Sequence, residues 1–145
     1  MIDNFKGDYY YLSNFYEIDI IYEGITYKNN EAAFQAQKCV NKDDRLQFST
    51  LNASEAKHLG RKVNLRKDWE NIKFSVMTEI VKTKFDQHPD LKQKLLKDNK
   101  EVKKIKKVTV LSSSVDDSMI HLNLFVTAIE NIGEVSIIQE NPEDI

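Results

Sequence analysis

Apolar residues recur along this chain with two periods, and the changes between them mark out its elements. Residues 16–28 alternate: Ile18, Ile20 and Tyr22 recur at every second position, and Glu23-Gly24 supplies a turn, so a β-hairpin is predicted. The pattern then becomes helical. Asn29-Asn30 is an N-cap signal for a short helix running to about Lys38, with Ala32, Ala33, Ala36, Cys39 and Val40 clustered on one side. Glu31, Gln35 and Lys38, spaced i, i+4, i+7, fall in one narrow polar stripe elsewhere on its surface. "NASEAKHLGR" reads as a second helix, with capping-box spacing between Asn52 and Glu55 and Gly60 suited to the C′ position. "DWENIKFSVMTEIVKTKF" gives the longest amphipathic pattern, with Asp68 as cap and an apolar stripe of Trp69, Ile72, Val76, Met77, Ile80 and Val81. Pro89 opens a further helix through about Lys97. Beyond it, "KKVTVLSSS" reads as a strand, "DDSMIHLNLFVTAIENIG" as the last long helix, "EVSIIQ" as a closing strand and "ENPEDI" as a frayed end. Short strands among dominant helices predict a compact, mainly helical α+β fold.

Composition narrows the function classes. A chain of 145 residues without a flexible linker or internal repeat is expected to form one domain over 1–145, large enough to bury a core without disulfide or metal staples. With 21 basic and 23 acidic residues the overall charge makes no case for wrapping DNA or adhering to a membrane, although local basic patches are compatible with it. The single cysteine, Cys39, excludes an intramolecular disulfide and a Cys-rich zinc site, and fits a reducing, cytoplasmic setting. No apolar run reaches the roughly 18–20 residues of a membrane span, and the first residues lack the apolar region of a signal peptide.

Phosphate loops, dinucleotide-binding glycine turns and the H-E-x-x-H metal motif are all missing. His58, His88 and His121 are far apart and read as ordinary surface or core histidines. Glu31 is the acid best placed for chemistry, in the first turn of its helix. First-turn acids are common, however, and Gln35 and Lys38 on the same stripe are equally compatible with solvated neighbours. Periodicity alone leaves that choice open.

The order of short motifs adds information. Ser13-Asn14-Phe15 is followed by Glu31 with Phe34-Gln35-Ala36 and Lys38, then Ala56-Lys57 with Gly60-Arg61, then Asp68-Trp69, then Lys84-Phe85. This succession, spanning about residues 5–97, resembles the NADAR family of YbiA-like N-glycosidases. In that family the pattern continues to an acid followed by Trp-Gly, then Gly-x-Asn-x-Leu-Gly and a last helix with a late Arg. This chain reads "VTVLSSSVDDSMIHLNLFVTAIENIG" there and holds no second tryptophan, although Asn123 matches the family asparagine.

The resemblance implies an α+β domain with a cleft for a ribose-linked nucleotide, and cleavage of an N-glycosidic bond. The substrate would be a phosphorylated riboflavin-pathway intermediate or an ADP-ribose adduct, free or on ADP-ribosylated nucleic acid. No cofactor, metal or membrane is implied, and the oligomeric state is left open. Breaking a ribosyl C–N bond builds positive charge on the sugar, which a carboxylate can stabilise while activating water. By its place in the motif Glu31 is the first catalytic candidate. Lys38 is the second, as phosphate ligand, proton donor, orienting cation or imine-forming amine. Asp117, or Asp116, would stand in for the missing acid, unless the pair only caps a helix. Arg61 suits phosphate, or else a surface salt bridge. Ser13 and Asn14 offer hydrogen bonds to ribose or base, or else simple turn chemistry. Phe15 belongs to the same motif. Phe34 is wall or core, Gln35 a substrate-binding candidate or else a solvated neighbour of Glu31, and Trp69 a stacking platform or a core residue. A nucleotide-binding protein without turnover, acting as sensor or sponge, and a protein-interaction scaffold are the alternatives.

Overall fold

The computed structural model describes residues 7–98. The strands expected at 106–114 and 134–139 and the helix expected at 116–133 lie outside the described residues. A 3₁₀ helix, Gly7–Leu12, leads into a hairpin of β1 (Ile20–Tyr22) and β2 (Ile25–Tyr27). Helices α1 (Asn30–Ala36), α2 (Lys42–Leu46), α3 (Ala53–Gly60), α4 (Trp69–Gln87) and α5 (Pro89–Lys97) follow. The fold is α+β, mainly helical around a two-stranded antiparallel sheet.

The hairpin forms where the alternation predicts it. Ile20 faces Tyr27, Ile21 faces Thr26 and Tyr22 faces Ile25. Glu23 and Gly24 both take positive φ, 49° and 78°, the two-residue turn whose twist matches that of paired strands. One face, Ile20, Tyr22, Ile25 and Tyr27, is buried, while Ile21 points to solvent. The outer edge of β1 is closed by a side chain. Ile21 N donates to Gln87 Oε1 (2.9 Å), and Gln87 Nε2 donates to Ile21 O (2.8 Å). Gln87 thereby satisfies backbone groups that an unpaired edge leaves exposed. Tyr22 OH donates to the Glu79 carboxylate, so α4 holds the hairpin at two levels.

Local capping explains most helix starts. Asn29 Oδ1 accepts from Ala32 N (2.7 Å), Asn41 Oδ1 from Asp44 N (2.9 Å), and Asn52 with Glu55 forms the reciprocal capping box. Asp68 departs from expectation. It precedes α4 but makes no side-chain cap, because Arg66 takes both its carboxylate oxygens at 2.6 and 3.1 Å. A charge-assisted fork outcompetes a single backbone N–H.

The core is built on α4. Met77, Ile80, Val81 and Phe85 lie along one stripe and pack with Leu12, Ile20, Tyr27 and Leu95. Ile72 and Val76 are only partly buried. Helix α1 is enclosed by the hairpin, α3 and α4, and every residue from Asn30 to Ala36 is buried. The expected division of α1 into an inner and an outer face therefore fails: its alanines and its polar groups are all inside. Val40, expected on the packed side, is 71% exposed, since the helix has already ended and the chain turns outward.

Candidate active site

Glu31 sits in the first turn of α1 with no exposed surface. One helical turn on, Gln35 is buried too, and its Nε2 donates to Glu31 Oε1 at 2.8 Å. The i, i+4 pair seen in the sequence is thus a real contact, and it fixes the rotamer of the carboxylate. Lys38 lies just past the helix. Its backbone N–H still bonds Gln35 O (3.2 Å), and its Nζ donates to Gly60 O at 3.3 Å.

Gly60 explains how these groups fit. It is the last residue of α3, at an ordinary negative φ, so the expected left-handed C′ role does not apply. The reason for glycine is contact: a Cβ here would stand 1.9 Å from Gln35 Oε1 and 2.7 Å from its Cδ. The α3 backbone and the Gln35 carboxamide press together, and the carbonyl of the same glycine receives Lys38. Replacing a helical glycine by alanine ordinarily stabilises by about 0.5–1 kcal/mol. Gly60→Ala is expected to do the opposite, costing about 1–3 kcal/mol by overpacking. Urea unfolding checks this, and Gln35→Ala in the same chain should recover most of the loss. Two purely additive effects would show that the glycine and the amide are not coupled.

The Ser13–Phe15 loop closes the N-terminal end of α1. Glu31 N donates to Asn14 O (3.1 Å), and Asn30 Nδ2 donates to Asn14 Oδ1 (2.9 Å). Ser13 Oγ accepts from Phe15 N (3.0 Å), the turn chemistry that its sequence allows. Phe34 and Trp69 are both buried, with ring centroids 5.0 Å apart and planes at 53°. They form one aromatic wall from α1 to α4. Arg61 is exposed immediately after α3 and, among the described residues, takes part in no ion pair. A groove of about 380 Å³ lies between residues 39–41, which follow Lys38, and residues 62–64, which follow Arg61. Burial pushes the Cys39 thiol at its edge up, the direction of an unreactive cysteine. Asp116 and Asp117 lie outside the described residues.

The structure therefore gathers Ser13, Asn14, Glu31, Gln35 and Lys38 around α1, with Phe34 and Trp69 beside them. Asn30, Gly60 and Lys84 also belong to this assembly, and residue chemistry alone gave them no site role. Lys84 had a visible signal: it falls on the Met77, Ile80, Val81 stripe, where an apolar residue is expected. Its ammonium is buried, and desolvation lowers its pKa to about 7. Among the described residues, no cluster of three or more His, Cys, Asp or Glu side chains is arranged to hold a metal ion, and no helix is long and apolar enough to cross a membrane.

Residues 3–108 match the family model for the NADAR domain. The chain belongs to the NADAR family. Among its NADAR relatives, N-glycosidase YbiA of Escherichia coli (strain K12) is 36% identical over 94 residues, 63% of this chain and 59% of that protein. A riboflavin biosynthesis protein of Vibrio vulnificus is 37% identical over 91 residues, 59% of this chain and 24% of that longer protein. The match thus spans about 59% of the length of the YbiA relatives. The NMR structure of E. coli YbiA has the same fold, with a TM-score of 0.61 at 24% identity over 90% of this chain and 82% of that one.

Proposed function

We propose that this NADAR domain is an N-glycosidase that hydrolyses the bond between ribose and a nitrogenous base in a phosphorylated nucleotide. The observation that carries the reading is Glu31: a fully buried carboxylate, oriented by Gln35, two turns before a lysine and beside an aromatic wall. Related proteins named as N-glycosidases support it.

In this reading the C1′–N bond breaks as positive charge develops on the sugar, and Glu31 faces that charge and takes the proton of the attacking water. Water oxygen bonds to C1′, the bond pair leaves with the base, and a proton is delivered to the leaving nitrogen. Lys38 either delivers it or binds phosphate. Arg61 binds phosphate at the mouth, Ser13 and Asn14 reach ribose hydroxyls with Phe15 beside them, and Phe34 and Trp69 border the base. Asp117, or Asp116, is the second acid. A riboflavin-pathway ribosyl phosphate and an ADP-ribosyl adduct, free or on nucleic acid, are the two substrate classes this reading proposes; one relative is named for riboflavin biosynthesis.

The test is a mass-spectrometric hydrolysis screen against NAD, ADP-ribose, riboflavin-pathway ribosyl phosphates and ADP-ribosylated guanosine. Release of ribose phosphate or ADP-ribose by the wild type is the expected result, and it names the leaving base. A second reading, a nucleotide-binding protein without turnover, is favoured by the departure of the last third from the family pattern. Tight binding of a panel member without cleavage would establish that reading instead.

A further inference from the structure

Lys84 lies more than fifty residues from Glu31 in sequence, on the buried stripe of α4. Its Nζ donates to Tyr11 O and to Ser13 O, the latter at 3.0 Å, and lies 5.3 Å from the Tyr16 ring centroid and 5.5 Å from that of Phe85. No carboxylate pairs with it among the described residues, and burial alone accounts for its lowered pKa. The two carbonyls belong to the end of the 3₁₀ helix and the turn after it. Directly after Ser13 stands Asn14, which accepts from Glu31 N through its backbone oxygen and from Asn30 Nδ2 through its side chain.

We infer that Lys84 is a positioning residue for the candidate site: its Nζ pins the turn at Ser13, and the turn, through Asn14, sets the first turn of α1 and the placement of Glu31. The coupling follows from hydrogen-bond accounting. A buried apolar residue at position 84 would leave Tyr11 O without that donor and Ser13 O with only Tyr16 N (3.2 Å). A carboxylate that acts on a sugar is sensitive to such shifts, since a displacement of about 1 Å costs roughly 10²-fold in rate. Lys84 touches no substrate in this account; it acts through Asn14.

The role of the turn in catalysis rests on the N-glycosidase reading, but the mechanical coupling does not. The experiment therefore has a readout free of turnover. Amide hydrogen exchange is followed at Glu31 N–H, whose acceptor is Asn14 O, and at Ala33 N–H, whose acceptor is Asn29 O. Wild type is compared with Lys84→Met, Lys84→Gln and the core control Ile80→Ala. The expected result is exchange at Glu31 faster by at least about tenfold in both Lys84 variants, with Ala33 changed far less, and no such selectivity in Ile80→Ala. On an identified substrate, kcat should fall more than KM rises, and Lys84→Met should be non-additive with Asn14→Ala. Equal acceleration at both amides would overturn the inference, as would failure of both Lys84 variants to fold, since Lys84 would then be structural only. A wild type without turnover on any substrate would refute the N-glycosidase reading and leave the exchange result to stand.

Discussion

Glu31→Gln should lower turnover by about 10²–10⁴-fold while leaving the fold intact. The substitution is nearly isosteric, and the buried site already contains a partner for it: an amide oxygen at position 31 can still accept from Gln35 Nε2, which now donates to Glu31 Oε1 at 2.8 Å. What disappears is the negative charge. A carboxamide neither takes a proton from water nor faces an oxocarbenium-like sugar with opposite charge. The check is the single-turnover rate on the substrate that the hydrolysis screen identifies, with circular dichroism and thermal unfolding measured on the same samples. Substrate affinity should change much less than the rate, because the lost interaction belongs to the transition state. Wild-type turnover in Glu31→Gln would reduce Glu31 to a buried structural acid and move the search for the base to Asp116 and Asp117.

Stability should rise with pH between about 7 and 9, and Lys84 should be the cause. Burial lowers its pKa from 10.5 to about 7. The unfolded chain therefore holds a proton on this amine, between those values, that the folded chain has released. Where the unfolded state binds more protons, stability increases with pH. Below about pH 7 both states are protonated and the folded protein carries the whole cost of the buried charge, on the order of 3–5 kcal/mol. The cost shrinks as pH approaches the unfolded value.

Three tyrosines act in the opposite sense at higher pH. Tyr27 is pushed up to about 12 by burial, and Tyr11 and Tyr22 are also raised, first by burial and then by their bonds to Asp98 and Glu79. A group with a raised folded pKa contributes stability below its unfolded value, here 10.0, and loses that contribution as pH rises further. The rise due to Lys84 should accordingly give way to a fall above about pH 10. Urea midpoints at about pH 6, 7.5 and 9 test the first half, with Lys84→Met alongside. The wild type should gain stability across the series and the variant should stay nearly flat. Parallel curves would mean that the buried amine is not the group that titrates.

Much of this protein was legible without coordinates because much of it is local. Alternation of Ile18, Ile20 and Tyr22 around Glu23-Gly24 sufficed for the hairpin, since side-chain period and turn chemistry act over a few residues. Asn29, the Asn52–Glu55 pair and Pro89 marked three helix starts for the same reason. The stripe of Glu31 and Gln35 became a hydrogen bond because both ends sit on one short helix. The ordered motifs pointed to the NADAR family, which the match over residues 3–108 bears out.

The structure decided the rest, wherever two partners compete for one group, near in sequence or far, or meet from distant parts of the chain. Asp68 looked like a cap, but the Arg66 guanidinium was the stronger partner. Gly60 looked like a helix stop, yet its missing side chain makes room for Gln35, twenty-five residues away. The alanines of α1 suggested one packed face, whereas burial on every side of that helix depends on α3, α4 and the hairpin closing around it. Lys84 carried no local sign of what it holds, because its partners are backbone carbonyls, which look alike in every sequence. Residue chemistry determined which groups were available. Only the packing of α1, α3 and α4 determined which were desolvated, which were paired and which were brought together around Glu31.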